Sequence, residues 1–317
     1  MLTLDGQPTG ELPATLPPGA IWIDLLDCDP AEIAWVEQQT GLHVPTLAEL
    51  NEIETSSRLR FESGVFRLST PTVSRDAAGM PVTTALGLVL GDKQLITVRQ
   101  TRLTAFTTFA AAWASAPGTC GAAAFVGLLD AIVDRMADVL EAVGAELDTV
   151  SYRVFAARSA ASPSREDAGL RDTLRQIGNC GDLASRIRDS LLCVARIIPY
   201  VLGQSIDWIP QPMRTRMETQ RADIASLNDY DTHLTNKVQL LLDATLGLIS
   251  IEQNNIIKVL TVVSVVGVPP TLVASIYGMN FHAMPELEWA WGYPYALGLI
   301  LTSAIGPLIW FKLRGWL

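Results

Sequence analysis

VLTVVSVVGVPPTLVASIY, residues Val259–Tyr277, contains no charged side chain, and neither does WAWGYPYALGLILTSAIGPLIWF, residues Trp289–Phe311. Each run is close to the roughly 20 residues a helix needs to cross about 30 Å of hydrocarbon. The pair is therefore read as two transmembrane helices; two buried helices of a soluble fold are the alternative. Charged residues make up 18% of the chain, so its apolar residues are concentrated at this end.

The flanking charges orient the spans. Lys258 precedes the first, Lys312 and Arg314 follow the second, and the connection between them has Glu286 and Glu288 but no Lys or Arg. By the positive-inside rule both termini face the cytoplasm and the connection faces outward. Trp289, Trp291, Tyr293, Trp310 and Trp316 fall near the span ends, where amphipathic rings favour the headgroup layer.

The opening MLTLDGQPTGELPATLPPG has neither a basic start nor an apolar stretch, so no cleavable signal is expected. Cys28, Cys120, Cys180 and Cys193 form no CxxC pair, and in a reducing cytosol they read as ordinary buried thiols rather than disulfides or a zinc site. The segment from Val259 onward removes two acids and two bases, so the formal charge of −10 stays with the remainder. Such a body is a poor host for nucleic acid, which needs clustered Lys and Arg. It is a plausible host for cations.

Up to about Gln100, strand signals (AIWIDL, RLRFES, GVFRLSTPTVS, TTALGLVLG, KQLITVRQ) alternate with a helix opening at Asp29 or Pro30 and with PTLAELNEIE. Residues 1–120 are read as an α/β domain whose strand order is not recoverable. Apolar spacing of three and four then predicts a helical hairpin over 121–212, broken at ASPSRED and ended by IPQP. From Met213 no proline occurs before Pro269 and no glycine before Gly247. A stalk over 213–258 can therefore run unbroken into the first span, on the order of 100 Å if it reaches Tyr277, unless it breaks near Gly247. The remaining divisions are 259–277 for the first span, 278–288 for the outer loop, 289–311 for the second span and 312–317 for a basic tail.

Asn254, Thr261, Ser264, Thr271 and Ser275 project onto one arc about 100° wide, with Val259, Val262, Val263, Val266 and Val273 off it. Such hydroxyls can bond back to the preceding turn or join helices in lipid. Alternatively, several copies of the helix surround a water-filled path, which implies a homo-oligomer. An uncharged lining suits Mg2+, which sheds its water reluctantly; carboxylates in the bore would hold a dication too tightly. No Walker-type glycine loop or nucleophile constellation is present, so neither an enzyme nor a nucleotide-driven pump is expected.

The first span ends in Gly278-Met279-Asn280, followed by Met284-Pro285-Glu286-Leu287, by Trp-Gly-Tyr-Pro at Trp291–Pro294 and by the terminal FKLRGWL. In order and spacing these resemble the CorA family of divalent-cation channels, proteobacterial type. IEQNNIIKVLTVVSVVGVPPTLVASIYGMN from Ile251 matches its first span without a gap, and PTLAELNEIETSSR from Pro45 is similar to its cytosolic domain. The resemblance implies a homopentameric funnel in the lipid bilayer, with a cytosolic α/β domain and a stalk helix continuing into the pore-lining span. It implies an outer-mouth filter at Asn280, with Gly278 and Met279 holding the turn. Toward the axis it places Asn254, Ile257, Leu260, Thr261, Val268, Thr271 and Ser275; Ser264 joins them from the polar arc. Ile257, Leu260 and Val268 would be apolar constrictions.

The resemblance further implies passive Mg2+ uptake, with Co2+ and Ni2+ as further cargo and Zn2+ as a candidate, and closure by intracellular Mg2+ bridging acids of neighbouring copies. Glu218, Asp223, Asp229, Asp231 and Asp243 are the stalk candidates for those regulatory sites; a solvated helix face is the plainer reading of them. His282 stands where relatives commonly have Glu, and with Met279 and Met284 offers softer ligands than oxygen alone; an exposed loop histidine is the plainer reading. Two rivals remain. A ZntB-type zinc transporter shares the architecture but usually has Gly-Ile-Asn at the tripeptide, and a membrane-anchored scaffold leaves the polar arc without a purpose.

Overall fold

The computed structural model describes residues 1–10, 12–52, 54–76, 79–155, 163–204, 206–279, 284–285 and 288–316. They form two units: Met1–Ala161 with Arg171–Leu242, and Ser162–Leu170 with Asp243–Leu317.

The first unit opens with β1 (Leu2–Leu4) and β2 (Gln7–Pro8), joined by Asp5 (φ 47°) and Gly6 (φ 81°). Asp-Gly suits such a turn because both central residues need positive φ. The Asp5 carboxylate then accepts the backbone N–H of Trp22 at 2.9 Å and the Trp113 indole N–H at 3.1 Å. Next come β3 (Trp22–Leu26), α1 (Pro30–Thr40), α2 (Leu47–Leu50), α3 (Thr55–Arg58), β4 (Leu59–Glu62), β5 (Val65–Arg75), β6 (Pro81–Leu90) and β7 (Leu95–Arg99). Asp29 begins α1 with a reciprocal capping box to Glu32 and with Pro30 in the first turn.

The strands make one sheet in the order β2-β1-β3-β7-β6-β5-β4. The β3 and β7 strands run parallel, pairing Asp24 with Thr97; the other neighbours are antiparallel. Period-two alternation divides the side chains. Ile23, Leu25, Val89, Ile96 and Val98 join Val36 and Leu50 on one face. Trp22, Leu86, Leu88, Leu90 and Leu95 pack on the other against a helical layer.

That layer is α4 (Thr104–Ser115), α5 (Gly121–Phe155), α6 (Pro163–Gly203) and the first part of α7 (Gln211–Tyr277). Phe106, Phe109 and Trp113 of α4 insert beside Trp22, with Phe109 4.7 Å from its ring centroid. Gly121 starts α5 where a Cβ would lie 2.7 Å from the carbonyl oxygens of Gly91 and Gln94, backbone that cannot swing aside. Gln220 of α7 donates to Val126 O at 2.9 Å, and Arg216 pairs with Asp130. All four cysteines are free; Cys180 alone is fully buried, and burial pushes its thiol up to about 12.

In the second unit, α7 continues without interruption at Gly247 or at Pro269 and Pro270 to Tyr277, and α8 (Gly292–Leu313) follows.

A buried polar chain ties β3 to β7. Trp22 donates to the Thr97 hydroxyl at 3.2 Å, Thr97 donates to Asp24 at 2.7 Å, and Arg99 grips Asp24 through Nη2 at 2.8 Å and Nε at 3.1 Å. Asp24 is 1% exposed, and removing one partner of a buried pair typically costs about 3–5 kcal/mol. Asp24→Ala should therefore lower the thermal midpoint of the detergent-solubilised protein sharply, whereas Asp24→Leu with Arg99→Met should recover much of the loss. A midpoint indifferent to Asp24→Ala would contradict this role.

Candidate ion pathway

Within the second unit, the half-buried positions toward the end of α7 include Val262, Val266, Pro269, Pro270, Val273 and Tyr277. At 100° per residue they span an arc about 100° wide. On α8, Ala296, Leu299, Ile300, Ser303, Ala304, Pro307 and Phe311 are the shaded positions, again at three- and four-residue spacing. Each apolar helix thus has one covered face.

The sequence-derived pore positions occupy a different face. Asn254, Ile257, Leu260, Ser264, Val268, Thr271 and Ser275 are exposed and Thr261 is half-buried. The centre of their arc lies roughly 170° around α7 from the centre of the covered face. Ile257, Leu260 and Val268 are about 60% exposed or more (59%, 66% and 64%), which for a helix in this chain means surface awaiting lipid or further protein. A notch lined by Val263, Gly267, Val268, Thr271, Leu272 and Ser275 opens on the same side, because Gly267 has no side chain to fill it.

Thr261 donates its hydroxyl to Ile257 O at 2.8 Å and Thr271 to Gly267 O at 2.8 Å, the back-bonding that threonines adopt in helices. The bond uses the hydroxyl proton and leaves oxygen lone pairs to accept from water. This face therefore presents acceptors without charge.

At the outer end the helix closes through Gly278 N–H to Ala274 O at 3.0 Å and Met279 N–H to Ile276 O at 3.2 Å. A Cβ on Gly278 would come within 3.2 Å of Ala274 O, which favours glycine there. Asn280, His282 and Glu286 lie outside the described residues. Glu288, Trp289 and Trp291 are exposed just before α8, as is Tyr293 in its first turn; at the far end Arg314 lies 5.6 Å from the Trp310 ring centroid.

The stalk acids separate into two kinds. Glu218, Asp223, Asp229 and Asp243 are exposed, with Arg221 3.6 Å from Glu218. Asp231 departs from the expectation of an accessible site: it is 0% exposed, with Arg188 Nε of α6 2.7 Å from Oδ2. Burial pushes its carboxyl up, and Arg188 only partly opposes the shift. A residue held this way is not presented to another chain. Among the described residues no three His, Cys, Asp or Glu side chains are grouped to hold a metal. Sequence reading missed Asp130, Asp134 and Asp138, spaced four apart along α5. Burial, then the charges of Asp130, Asp138 and Asp223, raise the Asp134 carboxyl. The four-residue spacing was visible; the approach of Asp223 was not.

A family model described as CorA-like Mg2+ transporter protein matches residues 18–313. The magnesium transport protein CorA of Escherichia coli strain K12 is 30% identical over 300 residues, covering 94% of this chain and 92% of that protein. The complete CorA magnesium transporter structure from Methanocaldococcus jannaschii aligns with a TM-score of 0.74 at 19% identity, covering 93% of this chain and 91% of that one. The ZntB cytoplasmic domain from Vibrio parahaemolyticus aligns at 0.55 and 13% identity, covering 72% and 87%. The first likeness speaks for the fold of an α/β domain, a long helix and two C-terminal apolar helices, and the second for the fold of the part it covers.

The raised Asp134 carboxyl has a measurable consequence. A proton on Asp134 favours the folded state, so the stabilisation it brings is present at low pH and lost as pH rises through the folded-state pKa. Asp134→Asn should raise the thermal midpoint at neutral pH, with the advantage shrinking as pH falls toward about 4, the ordinary Asp range. Equal midpoints at neutral pH would contradict the repulsion.

Proposed function

Because the chain belongs to the CorA-like Mg2+ transporter family, we propose that it is a passive Mg2+ uptake channel whose path is enclosed by copies of α7. The observation that carries this reading is the uncharged, acceptor-bearing arc on the face of α7 away from its covered side. One helix pair cannot enclose a path, so the reading requires an oligomer, and the family resemblance makes it a homopentamer.

Each lining group has a distinct role in this account. Asn280 receives the hydrated ion at the outer mouth, where Glu286 and Glu288 raise its local concentration. His282, on the same loop, is a softer ligand that would bias the mouth toward Co2+, Ni2+ or Zn2+. Asn254, Thr261, Ser264, Thr271 and Ser275 accept hydrogen bonds from the ion's own water, so Mg2+ passes without shedding its shell. Ile257, Leu260 and Val268 narrow the bore and close it by dewetting. At 100 mV, inside negative, a dication gains about 4.6 kcal/mol on moving inward, twice the roughly 2.3 for one charge. Regulation would come from intracellular Mg2+ bridging the exposed stalk acids Glu218, Asp223, Asp229 and Asp243 between copies, which the negative charge of each body otherwise drives apart.

Proteoliposomes loaded with a Mg2+-sensitive dye test the proposal. Mg2+ entry should rise with an inside-negative potential and fall as internal Mg2+ accumulates, and Asn280→Ala should reduce it to the leak of empty vesicles while the oligomer elutes unchanged. Entry of Zn2+ with protons, in the absence of Mg2+ entry, would instead establish the zinc-transporter reading.

A further inference from the structure

The first unit contains a cavity of about 250 Å³ between the ends of β5 and β6, the start of α4, and the facing sides of α5 and α6. Its composition runs against the rest of the chain. In a protein of formal charge −10, the wall includes Arg75, Arg102 and Arg135 and, among the described residues, no acid. Met136, Leu183 and Ile187 supply an apolar interior.

Three features belong to its lining. Leu103 gives α4 no side-chain cap, and the first N–H groups of this helix, on Thr104 and Ala105, have no acceptor among the described residues. Uncapped helix N-termini attract anions through those N–H groups and the helix dipole. Arg102 has no acidic partner among the described residues, and Arg135 is 3.8 Å from Asp138 in an exposed, loose pair. Arg75 already donates to Gly79 O at 2.8 Å, which fixes its stem at the rim.

The independent observation is Ser74. It is 8% exposed, it lines the cavity, and its hydroxyl oxygen is buried without a hydrogen-bond partner among the described residues. A buried polar atom left unmade costs about 1–3 kcal/mol unless something answers it. Its β5 neighbour Thr72, two residues away on the same side, does find a partner in Thr84 O at 3.2 Å. Ser69 Oγ on the same strand is likewise buried without a partner among the described residues, but Ser69 does not line the cavity, whereas Ser74 does.

We propose that this cavity binds a small organic phosphate monoester, its phosphate at the α4 N-terminus between Arg102 and Arg135, its apolar body against Met136, Leu183 and Ile187, and a polar atom of it bonded to Ser74. Guanidinium groups and free backbone N–H groups match phosphate oxygens bidentately. No glycine-rich loop is involved, so the mode differs from that of nucleotide-driven pumps. The site lies in the soluble unit and does not depend on the assignment of the ion path.

The test is calorimetric titration of the full-length, detergent-solubilised protein with phenyl phosphate, with inorganic phosphate and phenol as separate head and body. Phenyl phosphate should bind once per chain and at least tenfold more tightly than either fragment. Arg102→Ala with Arg135→Ala, both surface changes, should weaken it tenfold or more, Ser74→Ala by a smaller factor, and Asn280→Ala not at all. Absence of phenyl phosphate binding, equal affinity for inorganic phosphate, or binding indifferent to the arginine pair would overturn the proposal.

Discussion

Hydrocarbon offers no hydrogen-bond partners, so a helix crossing it must satisfy its backbone internally and can turn polar side chains only toward protein or water. That constraint organises the C-terminal part of this chain. α7 meets it along one face with valines and prolines that are covered, and places its hydroxyls and Asn254 on the opposite face. A polar face without charge is costly against lipid and useful against water, and its acceptors suit an ion that travels with its own shell.

The remainder of the molecule is arranged around charge. The sheet domain buries one ion pair, Asp24 with Arg99, inside a chain of hydrogen bonds that joins its one parallel strand pair. The helical layer buries Asp231 against the partly exposed Arg188. Its surface meanwhile keeps acids close enough to repel, as at Asp130, Asp134, Asp138 and Asp223. The cavity wall with Arg75, Arg102 and Arg135 stands out against this acidity.

The spans, the long helix and the polar arc were legible because each depends on local pattern: run length, absence of breakers and 100° periodicity. The Asp5-Gly6 turn was equally local, yet it hides in an opening that reads as loop because β1 and β2 hold only three and two residues. α4 escaped notice because TAFTTFAAAWAS sits between a strand and a longer helix and has no capping residue at Leu103. Strand order was beyond reach, since β3 and β7 pair across a long sequence separation and no local signal reports that partnership. The same holds for the site. Asp231 looked like its exposed neighbours on α7 until α6 supplied Arg188, and the repulsion at Asp134 exists only once α7 brings Asp223 near.

The central claim is that one face of α7 meets water inside an oligomer while the opposite face does not. Single cysteines introduced along α7 test it directly, on a background in which Cys28, Cys120, Cys180 and Cys193, all outside the spans, are replaced by serine or alanine. In proteoliposomes, a hydrophilic cationic thiol reagent should modify Ser264→Cys, Thr271→Cys and Ser275→Cys and block Mg2+ entry, while Val262→Cys, Val266→Cys and Val273→Cys stay unreacted. Labelling of the valine positions, or none on the hydroxyl face, would contradict the account.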